Sequence, residues 1–171
     1  MRLSNAELSY VENVRLRIVQ VPADQKDKMD YENPEKAIEI IREHLRVSVA
    51  PGLEDITHVI WPEGAVTGLV LEDRALISAM SKSMLSTDDT PPVWLLNTLR
   101  EESRTLPDGR TTLDYYNSSA AVTFGTDGSA ALAAVNDKAH LVPFGEYVPG
   151  GKWLEDRGIM PLSTALASIS P

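Results

Sequence analysis

The sequence predicts a mixed α/β (α+β) fold, in which one sheet begins with parallel strands and continues with antiparallel ones. Before residue 97, three apolar runs alternate with two segments of helical periodicity, an order that favours parallel strands joined by helical crossovers. After residue 110, two further apolar runs flank a Gly-rich turn, which is typical of an antiparallel hairpin. The 171 residues, of which 43% are hydrophobic, suit a single domain, residues 1–171, with its own core.

Three strands are predicted in the first half, because their residues are β-branched or alternate between apolar and polar types. They are Val14–Val21, Thr57–Trp61 and Val93–Leu96. The first helix begins at Asn33–Pro34, since Asn suits the N-cap and Pro the first helical position, and Pro51–Gly52 stops it. The second helix spans Asp73–Met84, and we expect its methionines to pack in the core.

The second half predicts antiparallel strands. Pro107–Gly109 is a turn signal, and Tyr115–Phe124 then alternates loosely with its apolar residues on one side. Gly125–Gly128 contains an Asp-Gly pair, which supplies the positive φ angle that a tight hairpin turn needs. Ala130–Val135 is the returning strand, and it leads into Lys138.

The charge and the absence of cysteine exclude several classes of function. A net charge of −9 opposes binding to nucleic acid, which needs a basic face, and provides no attraction to anionic lipid. With no cysteine, disulfides, cysteine zinc sites and thiol nucleophiles are excluded within this chain. No apolar run approaches the roughly 18 residues of a membrane span, and residues 1–7 lack the apolar region of a signal peptide. We therefore expect no targeting signal in this sequence.

The segment Asp137–Pro149 concentrates the candidate chemistry. It carries Lys138, His140 and Glu146 among apolar residues. Because prolines and a glycine interrupt it, we expect a shaped loop rather than a helix. Because it is apolar, we expect it to pack down, with its lysine and glutamate partly buried and in need of partners.

Glu63 follows the second predicted strand, and Lys138 follows the last one. Such junctions at the ends of strands in one sheet are where α/β folds place their chemistry. A lysine between Glu63 and Glu146 can stabilise an oxyanion while a glutamate acts as general base. No serine lies in a Gly-x-Ser-x-Gly elbow. The histidines show no metal-binding spacing, and His44 and His58 are expected to be structural, so we predict neither a metal nor a cofactor.

Two motifs resemble those of a known superfamily. The pair formed by Trp61-Pro62-Glu63 and Asp137–Pro149 is similar to the nitrilase, or carbon–nitrogen hydrolase, superfamily. The run His-Leu-Val-Pro-Phe-Gly-Glu-Tyr-Val-Pro, which begins at His140, resembles the apolipoprotein N-acyltransferases of bacteria in particular. Arg17–Gln20 and Tyr116–Ser118 agree with this resemblance, which covers most of the chain.

The resemblance implies a four-layer α-β-β-α sandwich with a Glu-Lys-Cys triad and no cofactor. By motif, Glu63 would be the general base, Lys138 would stabilise the tetrahedral oxyanion, and Glu146 would be a second essential glutamate that supports the site. The cysteine would take an acyl chain from a phospholipid as a thioester and pass it to the N-terminal cysteine of a diacylglyceryl apolipoprotein. The parent enzyme would lie in the bacterial inner membrane, with this domain on the periplasmic side.

The sequence departs from this pattern in three ways. It has no cysteine, it lacks the family's membrane segments, and Asn97–Arg100 stands where a Gly-rich segment is expected. The simplest interpretation is a C-terminally truncated, incomplete carbon–nitrogen hydrolase domain, a fragment that we expect to be inactive alone. Two alternatives stay open: a soluble nitrilase-like amidase that shares Glu63 and Lys138, and a non-catalytic module of the same fold.

Overall fold

A computed structural model describes residues 9–22, 34–66, 68–84, 90–106, 108–140 and 142. Five strands in this part form one sheet in the order β1-β2-β3-β4-β5. The strands are β1 Leu16–Ile18, β2 His58–Ile60, β3 Val93–Thr105, β4 Thr111–Phe124 and β5 Ala130–Asp137. The helices are α1 Pro34–Ser48 and α2 Arg74–Met84, with a 3-10 helix at Leu53–Asp55. The first three strands are parallel and the last three are antiparallel neighbours, so the predicted mixed α/β sheet is confirmed.

One face of the sheet, the helix face, carries the core. Successive side chains of a strand point to opposite faces, and on this face alternate residues of three strands are buried. These residues are Val59, Trp94, Leu96, Ala120, Val122 and Phe124. They form one hydrophobic cluster with residues of both helices, among them Met80 and Met84 of α2. The prediction that the methionines pack in the core is therefore confirmed.

A row of aromatic rings runs through this core. The ring centroids of His44 and Trp61 are 5.2 Å apart, those of Trp61 and Trp94 5.4 Å, and those of Trp94 and Phe124 5.8 Å. Their tilted geometry brings ring edges towards ring faces, the arrangement that aromatic pairs prefer. His44 is buried on α1, and its Nδ1 lies 2.8 Å from the carbonyl oxygen of Ile40, as expected of a structural histidine.

All five strands differ from their predicted bounds, and β1 and β3 differ the most. β1 covers only Leu16–Ile18, because it pairs with the equally short β2. β3 was predicted to end at Leu96, but it continues through Asn97–Arg100 to Thr105, since β4 pairs with it along this whole stretch. Residues 97–105 are mostly polar, so the hydrophobic pattern does not indicate a strand there. Pairing with β4 satisfies the hydrogen-bonding groups of their backbone.

Local signals at element ends agree with the predictions. The Asp73 carboxylate accepts two backbone N–H groups of the first turn of α2, at 3.0 and 2.9 Å, as an N-cap does. In the β4–β5 turn, Gly128 adopts a φ of 83°, the left-handed conformation that glycine adopts without strain. The predicted cap at Asn33 lies outside the described residues. Neither α-helix of the described part is long and apolar enough to cross a membrane.

The opposite face of the sheet, the site face, is much less covered. The strand pairing places Ile18, Ile60 and Leu95 on this face. At its β1 edge, Leu16 and Ile18 are 52% and 71% exposed. A groove of about 640 Å³, the site groove, lies on this face, and no residue of the two α-helices lines it.

Candidate active site

Glu63 and Lys138 meet on the site face, although they lie in distant parts of the sequence. Glu63 follows β2, and Lys138 is the first residue past β5. The Lys138 Nζ donates to the Glu63 Oε1 at 3.3 Å. The lysine side chain is 33% exposed and the glutamate side chain 63%, so the contact is open to solvent on the glutamate side. The two strand ends thus bring together a cation and a carboxylate.

Two asparagine amides orient the Glu63 carboxylate. The Asn117 Nδ2 donates to the Glu63 Oε1 at 3.1 Å, and the Asn97 Nδ2 donates to the Asn117 Oδ1 at 2.6 Å. Because the Asn117 oxygen accepts from Asn97, its NH₂ group faces Glu63. Both of these contacts to Glu63 use Oε1 rather than Oε2.

The alternation of β4 and β5 places Lys138 on this face. The Lys138 backbone N–H donates to the Asn117 carbonyl oxygen at 2.8 Å, which continues the β4–β5 pairing by one residue. Asp137 pairs with Ser118, and its side chain lies on the helix face. A shift of β5 by one residue would exchange the faces of Asp137 and Lys138. The register at this end of β5 therefore decides whether the lysine can reach Glu63.

The loop that carries Glu63 is anchored at both ends. Trp61 binds β3 through its backbone N–H and α1 through its indole N–H, at 2.9 and 2.8 Å. Gly64 adopts a φ of 73°, which turns the chain directly after Glu63. Further along, the Leu99 N–H donates to the Gly68 carbonyl oxygen at 3.0 Å. These contacts fix the backbone of Glu63 relative to β3.

The site groove has a polar end and an apolar floor. Its polar end consists of Glu63, Lys138, Asn97 and Asn117, and Ser119 and Asn136 also line the groove. Its apolar lining includes Ile60, Leu95, Ala121 and Ala134. This arrangement suits a substrate whose reacting carbonyl lies at the polar end and whose apolar part follows the floor. Within the described residues, no group of acidic and histidine side chains is placed to hold a metal ion.

A second polar cluster, the Asp137 clamp, lies behind Lys138 on the helix face. Arg100 donates from Nε to the Asp137 Oδ1 at 3.2 Å and from Nη2 to Oδ2 at 2.7 Å. The Ser118 Oγ donates to Oδ1 at 2.6 Å, and the Arg100 guanidinium lies 4.4 Å from the ring centroid of Tyr116. The hydrogen bond from Arg100, followed by that from Ser118, lowers the pKa of the Asp137 carboxyl below its usual value.

The remaining candidate residues are Glu146, His140 and His58. Glu146 lies outside the described residues, as does the rest of Pro143–Pro149, so its place in the site stays a prediction. His140 is exposed. His58 lies in β2, and its Nδ1 is 2.8 Å from the Oγ1 of Thr57, the residue before the strand.

Sequence reasoning missed the amides and the clamp. Tyr116–Ser118 was noted only for its resemblance, yet each of its three residues contacts Glu63, Arg100 or Asp137. Asn97–Arg100 was noted only as lacking glycine, yet it supplies one amide and the clamp arginine. The available signal was the strand alternation, which sends neighbouring polar residues to opposite faces.

No protein-family model matches the chain. Curated proteins named apolipoprotein N-acyltransferase are similar to it over most of its length. The one from Rhodopseudomonas palustris is 29% identical over 169 residues, which cover 95% of this chain and 29% of the relative. Those from Agrobacterium fabrum and Rhizobium etli are 32% and 31% identical, over 92% and 84% of this chain and 28% and 25% of their own lengths. The predicted resemblance to apolipoprotein N-acyltransferases is therefore confirmed, and the chain spans less than a third of these relatives.

Proposed function

We propose that this chain is part of an N-acyltransferase of bacterial lipoprotein maturation and that it carries the general base and the oxyanion-stabilising cation. The observation that carries the proposal is the 3.3 Å contact between the Lys138 Nζ and the Glu63 Oε1, at the polar end of an apolar groove. Acyl transfer through a thioester needs such a base and such a cation. The likeness to apolipoprotein N-acyltransferases supports this reaction over others.

In the first half-reaction, Glu63 accepts the proton of a cysteine thiol, and the thiolate attacks the ester carbonyl of a phospholipid. The carbonyl oxygen becomes an oxyanion, which the ammonium group of Lys138 stabilises. When the tetrahedral intermediate collapses, the lysophospholipid oxygen leaves and takes the proton from Glu63. The product is a thioester between the cysteine and the acyl chain. This sequence has no cysteine, so the thiol comes from protein sequence outside these residues.

In the second half-reaction, the α-amine of the N-terminal cysteine of a diacylglyceryl apolipoprotein attacks the thioester. Glu63 takes the proton that the amine loses, and Lys138 again stabilises the oxyanion. Collapse forms the amide bond, releases the thiolate and returns the proton to it. One carboxylate and one cation therefore serve both steps, which explains why the site keeps them in contact.

The exposed site face supports the four-layer sandwich. We propose that residues 1–171 form an incomplete carbon–nitrogen hydrolase domain and that the remaining layers pack on this face. Leu16 and Ile18 project from it with most of their surface exposed, and the apolar floor of the site groove adjoins them through β2. Burying such apolar side chains stabilises a fold by roughly 25 cal/mol per Å². Glu146 joins the site as the second glutamate in this proposal.

The substrates and the location follow from the same likeness. We propose a phospholipid as the acyl donor, a diacylglyceryl apolipoprotein as the acceptor, and the bacterial inner membrane as the location of the whole protein, with this domain on the periplasmic side. The apolar floor of the site groove supports a donor with an acyl chain. No cofactor enters this mechanism.

The isolated chain is inactive in this proposal, because the loss of the nucleophile from a triad can cost on the order of 10⁶ in rate. We expect no covalent adduct when the purified 171-residue chain is incubated with a fluorescent phospholipid. The measurement is in-gel fluorescence, with hydroxylamine treatment to cleave any thioester. A labelled band would contradict the expected inactivity.

The activity itself is tested with the chain expressed together with its flanking genomic sequence, in bacteria depleted of their own apolipoprotein N-acyltransferase. Glu63→Gln removes the base and Lys138→Met removes the cation. Each is expected to reduce N-acylation by on the order of 10²-fold or more. The readout is the mass of the N-terminal lipopeptide of a reporter lipoprotein.

Matched controls separate these roles from a general effect of charge. Glu54→Gln and Lys82→Met change exposed side chains outside the site groove, and they should leave acylation unchanged. Unchanged acylation in Glu63→Gln and Lys138→Met would instead indicate a non-catalytic module. Hydrolysis of small amides without acyl transfer would indicate the amidase.

A further inference from the structure

Among the described residues, β5 is the last strand of the sheet, and its exposed side chains contribute little packing. Every residue from 130 to 136 is exposed, and within the described residues β5 pairs only with β4. The β4–β5 pairing is also irregular between Ala121 and Val122. Apolar packing therefore does not fix the register at the end of β5, where a shift of one residue would turn Lys138 away from Glu63.

The Asp137 clamp supplies the missing constraint. Asp137 is the last residue of β5. Two hydrogen bonds from Arg100 on β3 and one from Ser118 on β4 hold its carboxylate. A two-point contact between a guanidinium and a carboxylate fixes the angle as well as the distance. The clamp thus ties the end of the edge strand to two strands that carry the core.

Arg100 is itself held in one orientation. Its side chain is 28% exposed, and its guanidinium stacks on the ring of Tyr116. Its Nη1 also donates to the Glu102 Oε2 at 3.1 Å. Stacking and a planar fork of donors make arginine more restricted than lysine at such a position. The guanidinium is therefore preorganised towards Asp137 before β5 pairs.

We propose that Arg100 is a positioning residue for Lys138 and that it acts through Asp137. Asp137 and Lys138 are consecutive and point to opposite faces, so holding the carboxylate on the helix face holds the ammonium group on the site face. The role of Lys138 in catalysis rests on the function proposed above, whereas its positioning by the clamp does not. The lowered pKa of Asp137 agrees with this role, since the clamp needs an ionised carboxylate.

Amide hydrogen exchange in the 171-residue chain tests the positioning directly. The Lys138 N–H donates to Asn117 at 2.8 Å, so its exchange rate reports whether the end of β5 is paired. Arg100→Gln and Asp137→Asn should each raise this rate by on the order of tenfold. The double variant should raise it no further, because both substitutions remove the same contact. The exchange of the Trp61 N–H, in the middle of the sheet, should stay unchanged.

Arg104→Gln is the matched control. Arg104 lies on the same strand and makes the same kind of paired contact, but with Asp114 on β4. The Arg104→Gln substitution should leave the exchange rate of the Lys138 N–H unchanged. Faster exchange in Arg104→Gln, or an equal rise for Lys138 and Trp61 in Arg100→Gln, would overturn the proposal, because the effect would then be one on overall stability.

Two milder variants keep the test decisive if Arg100→Gln unfolds the chain. Ser118→Ala removes one of the three hydrogen bonds and should raise the Lys138 rate by a smaller factor. Arg100→Lys keeps the charge but loses the planar fork, so it should also raise the Lys138 rate, although by less than Arg100→Gln. An unchanged exchange rate of the Lys138 N–H in Arg100→Lys would show that the two-point geometry of the clamp is not what holds the end of β5.

The lipoprotein assay described above then separates the two proposals. If the clamp and the function both hold, Arg100→Gln lowers the catalytic rate more than the apparent affinity for phospholipid. Faster Lys138 exchange, with acylation independent of Lys138, would uphold the positioning and reject the function. Unchanged exchange would reject the positioning whatever the activity.

Discussion

The two faces of the sheet are held together by different forces. On the helix face, Trp94 and Leu96 are almost wholly buried, and close packing against both helices fixes their positions. On the site face, Glu63 and Lys138 stay partly exposed, and hydrogen bonds to Asn117 fix theirs. The packed face provides most of the stability, and the open face carries the candidate catalytic residues.

β4 links the two faces through consecutive residues. Asn117 contacts Glu63 on the site face, and Ser118 contacts Asp137 on the helix face. Two residues further along, Ala120 is buried in the core. A strand made rigid by its core residues can therefore position polar groups that the core itself could not accommodate.

The largest expected effect comes from breaking the helix face. Trp94→Ala should lower the free energy of unfolding by about 3–5 kcal/mol, because the ring contacts those of Trp61 and Phe124. Among the described residues the Trp94 Nε1 has no hydrogen-bond partner, so the loss is one of packing. The measurement is urea unfolding followed by circular dichroism.

Leu95→Ala, at the adjacent position on the site face, is the control for Trp94→Ala. Its side chain is only partly buried, so Leu95→Ala should cost distinctly less than Trp94→Ala. Equal losses of unfolding free energy at the two positions would mean that the helix face does not contribute more stability than the site face.

An intermediate effect is expected from breaking the site face. Asn117 is buried, and Asn117→Ala would remove the partner of the Asn97 amide and one donor to Glu63. We expect a loss of about 1–3 kcal/mol in the free energy of unfolding and weaker N-acylation by the protein with its flanking sequence. Thr126→Ala changes an exposed polar side chain in the β4–β5 turn, outside the site groove, and should alter neither quantity. A stability loss without any loss of acylation would show that Asn117 does not orient the base.

The contrast between the faces also explains what the sequence could predict. The helix face follows from periodicity, because burial repeats every second residue in strands and along one side of a helix. The pattern in Ala120, Val122 and Phe124 was therefore enough to predict the core side of β4, which the structure confirms. The parallel and antiparallel halves of the sheet followed from the order of the elements.

The site face was only partly predictable, because the contacts of its residues depend on the register of the strands. Glu63 and Lys138 were identified from motifs at strand ends. The hydrogen bond between the Asn97 and Asn117 amides was not predicted. This hydrogen bond depends on the extension of β3 past Leu96, because the extension places Asn97 beside β4. The polar residues of β3 past Leu96 carry no hydrophobic signal, so this part of the strand could not be predicted from the pattern.

The smallest expected effect concerns the clamp that connects the faces, and it depends on pH. Arg100, and then Ser118, lower the pKa of Asp137 in the folded chain, relative to about 3.9 when unfolded. A carboxylate with a lowered folded pKa stabilises the protein above the unfolded pKa, and this contribution is lost as pH falls through the folded pKa. The wild-type chain should therefore be more stable than Asp137→Asn at pH 7, and the difference should shrink below about pH 5.

Solvent screening keeps this difference small, because the Asp137 side chain is 36% exposed. Urea unfolding across this pH range measures it without adding salt. The charged neighbours, Arg100 and Glu102 on β3 and Lys138 past β5, are present in both proteins, so their own effects cancel in the comparison. In an Arg100→Gln background most of the difference should disappear. A difference that persists there, or that stays constant with pH, would mean that packing rather than the ion pair holds the end of β5.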